Sequence, residues 1–166
     1  MIQTELGDIE VAIDSVNAPN TSVNFLKYVD EGFYSTGSFY RTVKLDNQPD
    51  NDVWIEVIQG GINREYRDKQ FPPINLERTN QTHVKHEDGA ISMARSGPDT
   101  ATSAFFICIG NQPSLDFGGD RNPDGQGFAA FGKLSHGMEI IRNIQSSPAE
   151  GQGLTPAIKI INIKRK

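Results

Sequence analysis

Residues 38–61 read SFYRTVKLDNQPDNDVWIEVIQGG, two alternating runs on either side of a polar stretch. The first, 38–44, has the period of a half-buried strand and puts Phe39, Arg41 and Val43 on one parity. The second, 53–59, repeats the pattern with Val53, Ile55, Val57 and Gln59. Between them LDNQPDND is turn chemistry. An arginine and a glutamine therefore fall on apolar faces, where an unpartnered polar group is costly. If the strands pair side by side, a guanidinium and a carboxamide project together among apolar neighbours, as a ligand pocket requires. The alternative places both near strand ends, snorkelling to solvent or capping a loop carbonyl.

The segments around this pair are of the same kind. IQTELGDIEVAID, residues 2–14, is two alternating runs broken at Leu6, Gly7 and Asp8, and predicts a hairpin. APNTSVNFLKYVDEG, 18–32, sets a proline and small polar residues before Val23, Phe25, Leu26 and Val29, with Gly32 as a stop, and predicts a helix of about three turns. From Gly60 to Glu87 periodic signals are few, which predicts a long irregular excursion. GAISMAR (89–95), SAFFICI (103–109) and FAAFGKL (128–134) are short strand candidates. HGMEIIRNIQ spaces Met138, Ile141 and Ile144 as a second helix, and AIKIINIK (157–164) predicts a closing strand. Many short strands, two helices and no βαβ rhythm point to an antiparallel barrel or sandwich with flanking helices.

The totals narrow the function classes. At 166 residues without repeat or linker, residues 1–166 are expected to form one domain. A net charge of -5 argues against nucleic acid as main partner, since duplex binding rests on clustered Lys and Arg. No apolar run approaches the roughly 18 residues of a membrane span. Cys108 is the one cysteine, so neither an intrachain disulfide nor a cysteine metal cluster can form; within FFICI it reads as a buried, inert thiol. The sequons at Asn20 and Asn80 are read as chance occurrences, and the compartment, cytoplasmic or periplasmic and secreted, stays open.

Two further signals point to metals and fail on inspection. DRNPDG, 120–125, opens like a calcium loop, but its twelfth position is Phe131 and Pro123 interrupts it. His83 and His86 form H-x-x-H without cysteines or an acidic helix, and read as solvated loop histidines. The glycines of GGDRNPDGQGF form no strand-to-helix phosphate loop.

Taken in order, TELGDIEVAID, APNTSVNFLKYVDEGFY, SFYRTV, IQGG, GAISMAR, TATSAFFICIG, LDF and FAAFGKLSHGMEII resemble the cyclophilin-type peptidyl-prolyl isomerases over nearly the whole chain. The resemblance implies a closed eight-stranded antiparallel β-barrel with a helix at each end and a groove on its outer wall. It also implies cis/trans isomerisation of X-Pro bonds with no metal and no cofactor. Proline-containing peptides and unfolded chains would be the partners, and the protein would act as a monomer. Arg41 matches the family's catalytic arginine and Gln59 the glutamine that positions it. Phe106 would line the proline pocket, a plain core role being the alternative, with Leu115 on its wall and Val57 on another. Ala94 and Arg95 would lie along the peptide groove, and Phe128 stands where the family often has histidine or tyrosine.

The chain also departs from the family pattern. KLDNQPDNDVW enlarges the loop between the arginine and glutamine strands. Glu56 and Val57 replace an aromatic and a methionine, so that Glu56 either pairs with Arg41 or faces solvent. Ala104 stands in place of a glutamine, and Ser114 in place of an aromatic residue, which predicts weak binding of cyclosporin-type macrocycles. These changes predict a slower or differently selective isomerase, or a proline-peptide binding module with little catalysis.

Overall fold

The computed structural model describes residues 1–166. Its strands are β1 (Ile2–Thr4), β2 (Gly7–Ile13), β3 (Ser38–Val43), β4 (Val57–Gly61), β5 (Ala90–Met93), β6 (Phe105–Cys108), β7 (Ala129–His136), β8 (Ala149–Glu150) and β9 (Gly153–Ile163). All pairings are antiparallel, in the order β1-β2-β7-β5-β6-β4-β3-β9, and β9 returns to β1. Eight strands thus close a ring, and the two-residue β8 is a hairpin arm hung on β9. Closure leaves no long unpaired edge. No helix is long and apolar enough to cross a membrane.

Helix α1 (Pro19–Asp30) begins with proline where its missing N–H costs nothing. The helix has no side-chain cap of its own. Instead the Glu77 carboxylate, from the long excursion, accepts from the backbone N–H of Asn20 at 3.1 Å and of Thr21 at 2.8 Å. An anion there satisfies orphan donors and opposes the positive end of the helix dipole. The buried face carries Phe25, Tyr28 and Val29, whereas Val23, expected among the apolar set, is 64% exposed. The other main helix (Met138–Gln145) buries Ile141 and Ile144.

Alternation along the strands divides the apolar residues between two clusters. Phe39, Ile58, Ile91, Phe105, Ile107 and Phe131 point into the barrel and pack with the helices. Val57, Ala90, Phe106 and Cys108, of the opposite parity, form a second cluster on the outer wall with Val43, Ile55 and Leu115. Cys108 is fully buried there, and burial pushes its thiol far above the ordinary range, so it is inert.

The two opening strands are corrected in detail. The ladder begins at Val57, not Val53. Ahead of it, buried Gln48 stands in for a strand: its amide donates to Ile55 O at 2.8 Å and its Oε1 accepts from Ile55 N at 3.2 Å. The excursion after Gly61 contains a 3-10 turn (Arg64–Lys69) and a four-residue helix, α2 (Thr79–Thr82), so the helix after β7 is α3. The last strand starts at Gly153, earlier than its apolar run suggests, because its first residues pair with β8 and with Arg41 of β3.

Candidate active site

The register of β3 on β4 slips between Phe39 and Arg41: Phe39 faces Gly60 and Arg41 faces Gln59, with Tyr40 as the extra residue. This is a β-bulge, and one added residue turns the chain to the other face. Phe39 therefore fills the barrel, while Arg41 emerges on the outer wall with Val43, although simple alternation put all three together. Gln59 lies opposite Arg41 in the ladder, and its Oε1 accepts from Arg41 Nη1 at 2.8 Å. The remaining Gln59 amide donates to Tyr40 Oη at 2.9 Å, which fixes its orientation.

A second glutamine completes the hold. Gln152 Oε1 accepts from Arg41 Nε at 3.0 Å and Nη2 at 2.7 Å, and its amide donates to Asn47 O at 3.0 Å. Asn47 belongs to the enlarged 44–56 loop, and its own amide bonds Thr42 O and Gly151 O. The guanidinium is thus clamped by two neutral carboxamides, with three of its five N–H donors used. Burial lowers the Arg41 pKa, yet arginine stays charged at any working pH.

Beside it is a cavity of about 220 Å³ lined by Arg41, Ile55, Val57, Gln59, Ala94, Arg95, Phe106, Leu115, Arg121, Asn122 and Phe128. Phe106, 4% exposed, meets Phe128 edge to face with ring centres 5.3 Å apart. Behind Phe106 the His86 ring stacks at 5.9 Å and 13°. His86 is 2% exposed, so it is not a solvated loop histidine; exposed His83 is. Its Nδ1 lies 2.8 Å from Asp116 Oδ1 and its Nε2 3.0 Å from Ser92 Oγ. Burial lowers the His86 pKa despite the raising pull of Asp116, so the ring is neutral at pH 7. It donates from Nδ1 and accepts the Ser92 hydroxyl at Nε2.

Of the residues expected at the groove, Arg41, Gln59, Val57, Ala94, Arg95, Phe106, Leu115 and Phe128 come together. Ala104 does not: it lines a neighbouring hollow of about 450 Å³ with Tyr40, Gly61 and Arg64. The Arg95 side chain, 1% exposed, makes paired bonds to Asp124 at 2.8 and 2.9 Å, donates to Gly127 O at 2.9 and 2.6 Å, and lies 4.9 Å over the Phe128 ring. It brackets the 116–127 loop. Asp124, the third ligand-like position of DRNPDG, is spent on that pair. The loop closes through a narrow neck at Gly127, whose φ of +67° suits glycine and where a Cβ would sit 2.5 Å from the Asp116 carbonyl carbon. Glu56 turns away from Arg41, and its Oε2 accepts from Gln145 Nε2 at 2.9 Å.

Sequence reasoning missed Ile55, Arg121, Asn122 and Gln152. Gln152, between two glycines, belongs to no motif, and the loop bearing Arg121 and Asn122 reads as turn chemistry with a failed calcium-loop pattern, neither of which points to the groove. Larger hollows exist, such as one of about 380 Å³ between the termini, but it has no comparable clamped cation beside an aromatic floor.

Residues 1–165 match the family model described as cyclophilin type peptidyl-prolyl cis-trans isomerase/CLD. This chain belongs to the cyclophilin family. The cyclophilin is 35% identical over 155 residues to "Peptidyl-prolyl cis-trans isomerase A" of Dickeya dadantii, covering 92% of this chain and 74% of that protein. It is 31% identical over 153 residues to "Peptidyl-prolyl cis-trans isomerase B" of Escherichia coli, covering 91% and 86%. A crystal structure of a Cryptosporidium parvum cyclophilin, determined with the dipeptide Ala-Pro, superimposes with a TM-score of 0.76 over 97% of this chain and 94% of that one. At 24% identity that likeness speaks to the fold alone. The cyclophilin fold and the peptidyl-prolyl cis-trans isomerase class follow from these matches together.

Proposed function

We propose that this cyclophilin isomerises X-Pro bonds by an arginine-assisted, non-covalent mechanism centred on Arg41, acting on proline-containing peptides and unfolded chains. The barrier is amide resonance, about 18–20 kcal/mol, which makes unassisted exchange take roughly tens to hundreds of seconds. Rotation breaks that resonance and leaves the proline nitrogen pyramidal, with a lone pair that can accept a hydrogen bond. A donor held where that lone pair develops binds the twisted amide more tightly than either planar form, and so lowers the barrier.

Arg41 is the donor in this reading. Its two unused N–H groups remain for substrate, and because Gln59 and Gln152 hold it already, little reorganisation accompanies the reaction. The proline ring enters the 220 Å³ cavity, with Phe106 as floor and Val57, Leu115, Phe128 and Ala94 as walls. No covalent bond forms and no proton moves.

The observation that carries this reading is the doubly clamped guanidinium beside an aromatic pocket, with no carboxylate paired to it. The test is exchange spectroscopy on a short Ala-Pro peptide with catalytic amounts of wild type and of Arg41→Ala. Acceleration by wild type and its loss in the variant support the mechanism. Peptide binding with unchanged exchange in wild type leaves a binding module instead.

A further inference from the structure

Three guanidiniums line the proposed proline pocket, and no carboxylate does. Arg95 is compensated by its paired bonds to Asp124. Arg41 and Arg121 are in no ion pair, and their side-chain partners are carboxamides and a carbonyl. In a chain of net charge -5 this is a local excess of uncompensated positive charge.

Arg121 is built into place. Its Nη1 donates to Val53 O at 2.6 Å and to Gln48 Oε1 at 3.2 Å, joining the 116–127 loop to the enlarged 44–56 loop over the cavity. Only Nη1 is used. The parallel Nε–H and Nη2–H edge, which fits a carboxylate through two bonds, has no protein partner. Arg41 presents the same edge to Gln152, so the two arginines divide the work: one is clamped, the other open. Burial and the nearby Arg41 charge both lower the Arg121 pKa, as expected for like charges that lack an anion between them.

We propose that Arg121 makes the mouth of this pocket a carboxylate-reading subsite, favouring X-Pro substrates that carry a carboxylate directly after the proline ring. That group is either the acidic side chain of the next residue or the terminal carboxylate of a chain ending in proline. The proposal rests on the assignment of this cavity to the proline ring. Small-ion attraction alone would not select for the residue following proline; a fork beside the ring does.

The test compares acetyl-Ala-Ala-Pro peptides ending in Ala-amide, Asp-amide, Glu-amide or Lys-amide, and the free acid and amide of acetyl-Ala-Ala-Pro. Each is measured for cis/trans exchange and, by amide shift titration of the protein, for binding. In wild type the acidic arms are expected to exceed their neutral counterparts by about three- to tenfold at low salt, with Lys-amide below Ala-amide. In Arg121→Gln the ratio should fall close to one, while Arg121→Lys, which keeps charge but not the fork, should retain part of it. Taking ratios within each protein removes any general effect of loosening the two loops. The acid and amide of the three-residue peptide, set against the Asp-amide and Glu-amide arms, tell the terminal carboxylate from the side chain. Equal values for acidic and neutral arms, or a ratio unchanged in Arg121→Gln, overturn the subsite. Absence of exchange in every arm counts against the Arg41 mechanism only, because the binding ratios still decide the subsite.

Discussion

Gln152 Oε1 receives two hydrogen bonds from Arg41, from Nε at 3.0 Å and Nη2 at 2.7 Å, across 111 residues of sequence. The glutamine is itself tethered to Asn47 O, so the inserted loop reaches the proposed catalytic cation through one side chain. Gln152→Ala removes two of the three bonds that aim Arg41. An expected loss of about tenfold in kcat/KM, mainly in kcat, with little change in thermal midpoint, would mark a positioning role. Gln152→Glu keeps the shape but places a carboxylate against Arg41, and activity should fall at least as far.

Arg41→Ala is expected to reduce kcat/KM by about a hundred- to a thousandfold, the scale for removing one preorganised donor. Arg41→Lys should recover little, because an ammonium cannot bond both glutamines and the substrate from one fork. Exchange spectroscopy with matched circular dichroism separates this loss from unfolding.

Phe106 is at once pocket floor and member of the outer-wall cluster. Phe106→Ala should therefore cost stability, about 3–5 kcal/mol by urea denaturation, and abolish peptide binding in the same variant. A variant that loses neither would remove the pocket assignment.

His86 makes stability depend on pH. In the unfolded chain it titrates near its ordinary 6.5, and in the fold it titrates lower because burial disfavours the imidazolium. Between those values the unfolded state binds more protons, so this contribution is fully present above 6.5 and is lost progressively as pH falls from there through the lower folded-state pKa. The urea midpoint should drop from pH 7.5 to 5.5. In His86→Asn that slope should be smaller.

The alternation of short strands was enough to read an antiparallel barrel or sandwich and to bring Arg41 and Gln59 forward as a pair, because period-two burial and local turn chemistry are written residue by residue. The closed barrel and the family were read from the resemblance carried by the ordered motifs. Other features come from pairing between distant segments. Alternation alone placed Phe39 and Arg41 on one face; only the ladder with β4 reveals the bulge at Tyr40 that separates them. Val53 to Glu56 has strand composition, yet Ile55 within it pairs with the side chain of Gln48. Arg95 read as a groove residue, and tertiary structure spends it on Asp124 and Gly127.

Local sequence thus determined where most of the strands lie and which polar groups ride on them. Tertiary structure alone decided what surrounds that chemistry: Gln152 bonds Arg41, Arg121 lines the cavity and His86 stacks behind Phe106, from loops in which no motif names these contacts. Their role depends on where barrel closure brings them, and that placement cannot be written into any one stretch of chain.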